Sequence, residues 1–192
     1  MINIIKLINI TLIVTALIFI SCSDNSSGLD ESESDAVSGE GELNVVGDID
    51  SQHEGLSQYI GLESNGGWVN LTLNIAEYPI GSEEVNDFSF DIRMTGDGGP
   101  FQLETGEYNI GENPEGPTVI ANYANRVITN RTVTYGTSPN SSGTVTIISV
   151  NSTSVEAVFD VILYQDVTTD EGAVTITGEL KAECHSTPAG GC

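Results

Sequence analysis

From about Leu43 onward the apolar residues alternate with polar ones instead of recurring at helical spacing, and alternation is the signature of strands with one dry and one wet face. In GGWVNLTLNIAEY, Val69, Leu71, Leu73 and Ile75 share one face, and Trp68, Asn70, Thr72 and Asn74 take the other. DFSFDIRMT repeats the pattern, with Phe88, Phe90, Ile92 and Met94 inward and Ser89, Asp91 and Arg93 outward. Further strands are predicted in FQLETGEYNIG, around Thr118 to Tyr123, and in RVITNRTVTYG, GTVTIISV, SVEAVFDVILYQDV and AVTITGELKAE, all rich in β-branched or aromatic residues. GDGGP, SPNSSG and DVTTDEG supply turns. Val155 to Val167 is apolar on both faces, which predicts a central strand covered on both sides.

No window has the period of an ordinary helix, so the expected class is all-β and antiparallel, with seven to nine strands. A two-sheet β-sandwich is the favoured architecture, and a closed or partly open β-barrel is the alternative. Alternation does not separate the two.

The order GEYNIG, ANY, SGTVTIISV, AVFDV and AVTITGEL, within Gly66 to Glu183, resembles the C-terminal β-domain of a family of Bacteroidota lipoproteins of unknown function. The chain departs from that pattern in AVFDV, which lacks a Gly before the aromatic, and in ITGEL, where an Asn-Gly turn is more usual. The resemblance implies an envelope address and a β-fold, and it carries no catalytic residues.

The N-terminus gives a different pattern. Lys6 precedes an apolar run from Leu7 to Ile20, shorter than the roughly 20 residues a spanning helix needs but suited to a signal-peptide core. It ends at Phe19-Ile20-Ser21-Cys22, similar to the lipobox of bacterial lipoproteins, in which the Cys thiol is lipidated and becomes the new N-terminus. The following SDNSSGLDESESDAVSGEGE has no aromatic or basic residue and reads as a disordered acidic tether. The expected organisation is a lipoprotein signal peptide at 1–21, a tether at 22–42, a β-domain at 43–184 and a Cys-closed tail at 185–192. With Cys22 lipidated, Cys184 and Cys192 remain as a disulfide pair in an oxidising compartment. The expected address is the outer membrane or cell surface, with the periplasmic face of a membrane as alternative.

Charge narrows the partners. Five Lys and Arg stand against 28 Asp and Glu, for a net charge of −23, which excludes nucleic acid because phosphate binding needs a cationic footprint. The expected partners are the membrane, through the N-terminal lipid, and a polysaccharide or envelope protein.

Candidate chemistry is sparse. No nucleophile elbow, metal-ligand spacing or phosphate loop is present, and His53 and His185 read as exposed loop histidines. GDIDSQHEG sets Asp48, Asp50, Gln52 and Glu54 at alternate positions, so Asp48, Asp50 and Glu54 are candidate Ca²⁺ ligands, although His53 stands where the EF-hand glycine would be. Asp166, Asp170 and Glu171 form a second acidic cluster in a turn. Trp68, the one tryptophan, is the candidate for stacking on a sugar ring. The functional expectation is a membrane-anchored envelope lipoprotein carrying a binding or structural module. The alternatives are a polysaccharide-active hydrolase working through acidic residues and a lipocalin-like binder of small ligands.

Overall fold

The computed structural model describes residues 39–64, 66–96, 99–111, 116–128, 131–166 and 168–185. The expected signal peptide at 1–21, most of the expected tether at 22–42, Cys22 and Cys192 lie outside them. Ten strands follow in chain order: β1 (Glu40–Gly47), β2 (Ser51–Ser64), β3 (Gly67–Ala76), β4 (Phe88–Thr95), β5 (Gly106–Asn109), β6 (Thr118–Ile128), β7 (Arg131–Gly136), β8 (Ser142–Val150), β9 (Ser154–Asp166) and β10 (Glu171–Cys184). The all-β, antiparallel expectation holds, and the architecture is the barrel, so the favoured sandwich gives way to its alternative.

Eight strands close the barrel in the order β1-β2-β3-β4-β6-β7-β9-β10, with β10 returning to β1. Closure is local at two places. β7 meets β9 through one pair, Gly136 with Tyr164, and β10 reaches past the start of β1 to run parallel to β2 at Gln58 and Tyr59. Where β7 leaves β9, β8 takes over the same edge and β5 pairs with β8. Gly111, just after β5, bridges Val119 at the start of β6, which closes the wall below β7.

Alternation explains which side chains fill the interior. Leu71, Leu73 and Ile75 of β3, Phe90, Ile92 and Met94 of β4, Val161 and Leu163 of β9 and Ile176 of β10 are fully buried, as the sequence predicts for these strands. The rings of Phe90 and Phe159 lie 4.8 Å apart although β4 and β9 are not neighbours in the sheet. Side chains therefore meet across the barrel, and the interior is a packed core.

Four further expectations change, the first being the strand count, which is ten in place of seven to nine. RVITNRTVTYG is not one strand but the end of β6 and all of β7. β9 is central, with both edges paired, but Val158, Ile162 and Tyr164 on its second face are only half-buried. β2 is a 14-residue strand in a stretch that yielded no strand motif.

Candidate functional site

β2 faces the interior with Ser51, His53, Gly55, Ser57, Tyr59 and Gly61, while Leu56 and Leu62 point outward and are exposed. Two of its glycines make room for aromatic rings. A Cβ at Gly55 would stand 2.8 Å from Phe88 Cζ, and one at Gly61 would fall on the Trp68 ring. A register shift between Leu62 and Glu63 sets Glu63 against Trp68 and leaves Val69 unpaired. That bulge turns Trp68 from the outer face, where plain alternation puts it, toward the interior. The indole lies over Gly61 and meets the Tyr59 ring edge-on at 6.2 Å.

The opposite end of β2 builds a polar cluster. β3 stops at Ala76, paired with Leu56, and β4 begins only at Phe88, paired with Asn125 of β6. The start of β2 therefore extends past β3 and leaves a notch in the rim, filled by side chains. His53 stacks on Phe88 at 4.2 Å. Its Nε2 lies 2.8 Å from the Tyr123 hydroxyl and 3.0 Å from Ser51 Oγ, and Asn125 Nδ2 donates to the Tyr123 oxygen at 2.7 Å. Among the proton arrangements that satisfy the group is one in which Asn125 donates to Tyr123 and Tyr123 donates to a neutral His53 Nε2. Burial favours that state, since it lowers the His53 pKa and raises that of Tyr123. His53 is thus a half-buried strand residue, not an exposed loop histidine. His185 is also half-buried, with Nδ1 3.3 Å from Gln58 Nε2 and its N–H donating to the Tyr59 carbonyl.

Ser51 and His53 make a hydroxyl–imidazole contact. Among the described residues no carboxylate is hydrogen-bonded to the other ring nitrogen, so the third member of a Ser-His-acid relay is not assembled there.

Two grooves mark the outer surface. The first, about 440 Å³, runs over β1 between β10 and β2 and is lined by Glu42, Asn44, Gln52, Glu54 and Thr177. Its register sets Glu42 directly opposite both Glu54 and Glu179. The second, about 320 Å³, lies over β4, β6 and β7 and is lined by Ser89, Asp91, Asn122, Thr134, Gly136 and Gln165. Asp91 is its one charged side chain. Asn74, itself 7% exposed, donates to Asp91 Oδ1 at 2.7 Å. Burial raises the Asp91 pKa, and the Asn74 hydrogen bond and the nearby Arg93 act in the opposite direction.

The sequence candidates are not gathered in one place. Asp48 and Asp50 sit in the β1–β2 turn, where Asp50 Oδ1 accepts the Gly47 N–H at 3.1 Å, while Glu54 lies outward on β2. Asp166 Oδ1 accepts the N–H groups of Thr168 and Thr169, and Asn140 donates to Asp170. Among the described residues, no three His, Cys, Asp or Glu are placed to hold a metal ion. Trp68 lines neither groove. Cys184 is disulfide-bonded, and its partner lies outside the described residues, as does Cys22. Sequence reasoning missed Ser51, Tyr123 and Asn125, and it used Asp91 only as an outward strand position. No family model, curated protein or solved structure matches the chain.

Proposed function

We propose that the chain is an envelope lipoprotein, anchored through acylated Cys22, whose acidic tether presents the barrel as a non-enzymatic binding module. Two acyl chains or more on one cysteine give durable attachment, because each buried CH₂ contributes about 0.8 kcal/mol. The observation that carries the binding reading is the packed interior, in which Phe90 and Phe159 meet across the barrel. A barrel filled by its own side chains meets partners on its outer surface, where the two grooves lie. This favours surface recognition over a lipocalin-like chamber. Pairing of Cys184 with Cys192 belongs to the same proposal and ties down the tail.

Detergent phase partitioning of cell extracts tests the anchor. Wild-type protein is expected in the detergent phase and Cys22→Ser in the aqueous phase. Wild-type protein in the aqueous phase, or identical partitioning of the two, overturns the reading.

A further inference from the structure

The second groove has a chemical character of its own. Register places Ser89, Ala124 and Thr134 in one outward row across β4, β6 and β7, and Asp91, Asn122 and Gly136 in the next. Gly136 has no side chain, so the second row opens into a gap before Tyr164 of β9. Gln165, at the end of β9, closes one side.

Asp91 is positioned for more than its neighbour. Asn74 fixes one carboxylate oxygen from a buried site and is the one side chain among the described residues hydrogen-bonded to it. The second oxygen retains its acceptor capacity. A carboxylate held in a half-buried groove costs stability unless it is compensated, and burial shifts it toward the neutral form. Around it stand amides, which donate and accept, and hydroxyls, which do both.

These features select the ligand class. An anionic ligand meets Asp91 and a chain of net charge −23. A divalent cation prefers several anionic oxygens, and the groove offers one carboxylate. A neutral ligand dense in hydroxyls matches the remaining pattern, because each hydroxyl both donates and accepts. A cavity near the low end of the roughly 300–1,000 Å³ typical of ligand sites suits a short segment of such a ligand.

Building on the binding-module reading, we infer that the groove formed by Asp91, Asn122, Gln165, Ser89 and Thr134 beside Gly136 is a subsite for a neutral glycan. Asp91 accepts from ligand hydroxyls through its free oxygen, Asn122 and Gln165 bridge adjacent hydroxyls, and Asn74 is a positioning residue.

Affinity electrophoresis of the detergent-solubilised full chain tests this, in native gels containing dextran, mannan or xylan, with alginate as the anionic comparison. Retardation is expected in at least one neutral gel and not in alginate. Asn122→Ala and Gln165→Ala should each weaken it about fivefold or more, and Asp91→Asn about tenfold or more, as expected for lost neutral and charged hydrogen bonds. Asn122 and Gln165 are exposed, so these two substitutions leave the core untouched. Glu42→Gln, in the other groove, should retain full retardation.

Absence of retardation in all three neutral gels overturns the inference. So does retardation by alginate, retardation unchanged in the groove variants, or its loss in Glu42→Gln. Loss of the groove with Cys22-dependent partitioning intact removes the glycan subsite and leaves the anchored module standing.

Discussion

The His53 Nε2 and the Tyr123 hydroxyl lie 2.8 Å apart, although 70 positions separate the two residues in the chain. Burial favours the neutral imidazole, whose Nε2 can accept the proton of the Tyr123 hydroxyl. Burial holds the folded pKa below its ordinary value, near 6.5 in the unfolded chain. Across the window between the two, the unfolded chain binds more protons, and stability rises with pH. The contribution is complete above the unfolded pKa and lost as pH falls through the window. Thermal melts from about pH 8 to pH 5 should show the gap between wild type and His53→Gln shrinking as pH falls. A gap that stays constant would mean that His53 does not titrate against this network.

Asp91 has the opposite sign. Its folded pKa is raised, so the unfolded chain releases the proton first, and stability falls as pH rises through the folded value. Asp91→Asn keeps a hydrogen bond to Asn74 through its carbonyl and removes the charge. Urea denaturation should find the variant more stable than wild type at pH 7, with the gap closing below about pH 4. Greater stability together with lost glycan retardation would be the usual exchange of stability for function at a binding site. A variant less stable at pH 7 would show that the charge supports the fold.

Ser57 is fully buried in β2, and its hydroxyl has no hydrogen-bond partner among the described residues. Removing an unsatisfied buried hydroxyl recovers part of a penalty of about 1–3 kcal/mol. Ser57→Ala should be neutral or raise the urea midpoint. A clear fall would reveal a partner for the hydroxyl.

Gly66 and Gly143 both have positive φ, +79° and +113°, but their surroundings differ. A Cβ at Gly66 meets nothing within 4 Å, whereas one at Gly143 falls on the Asp160 carbonyl oxygen of β9. Each Gly→Ala change carries backbone strain of about 1–3 kcal/mol, and Gly143→Ala adds a backbone clash. Gly143→Ala should therefore be the more destabilising of the two in denaturant titration. Equal losses would show that β8 shifts away from β9 at little cost.

How much of this was legible follows from which way each strand's large side chains point. β3 and β4 were readable because Leu71, Leu73, Ile75, Phe90, Ile92 and Met94 put their bulk inward at every second position. β2 inverts the rule. Its inward residues include Gly55 and Gly61, which yield space to Phe88 and Trp68 from other strands, while its leucines face solvent. Local alternation does not carry that information, because apart from Tyr59 the volume that fills the core at β2 comes from elsewhere in the chain. The His53 cluster was hidden for the same reason, as Tyr123 and Asn125 reach it only through β6 pairing. Trp68 was displaced by one bulge, since a shift of one residue exchanges the faces of a strand. Barrel and sandwich share one alternation pattern, and the choice rests on long-range pairs such as Gly136 with Tyr164.

The central proposal is anchoring at Cys22, which would hold the barrel at a membrane surface. Growth with an alkyne-bearing fatty acid, followed by coupling to a fluorophore and a gel, reads it most directly. Wild-type protein should carry the label and Cys22→Ser should not, with both accumulating as folded barrels. Undiminished label on Cys22→Ser, or none on the wild type, would contradict lipid anchoring at Cys22.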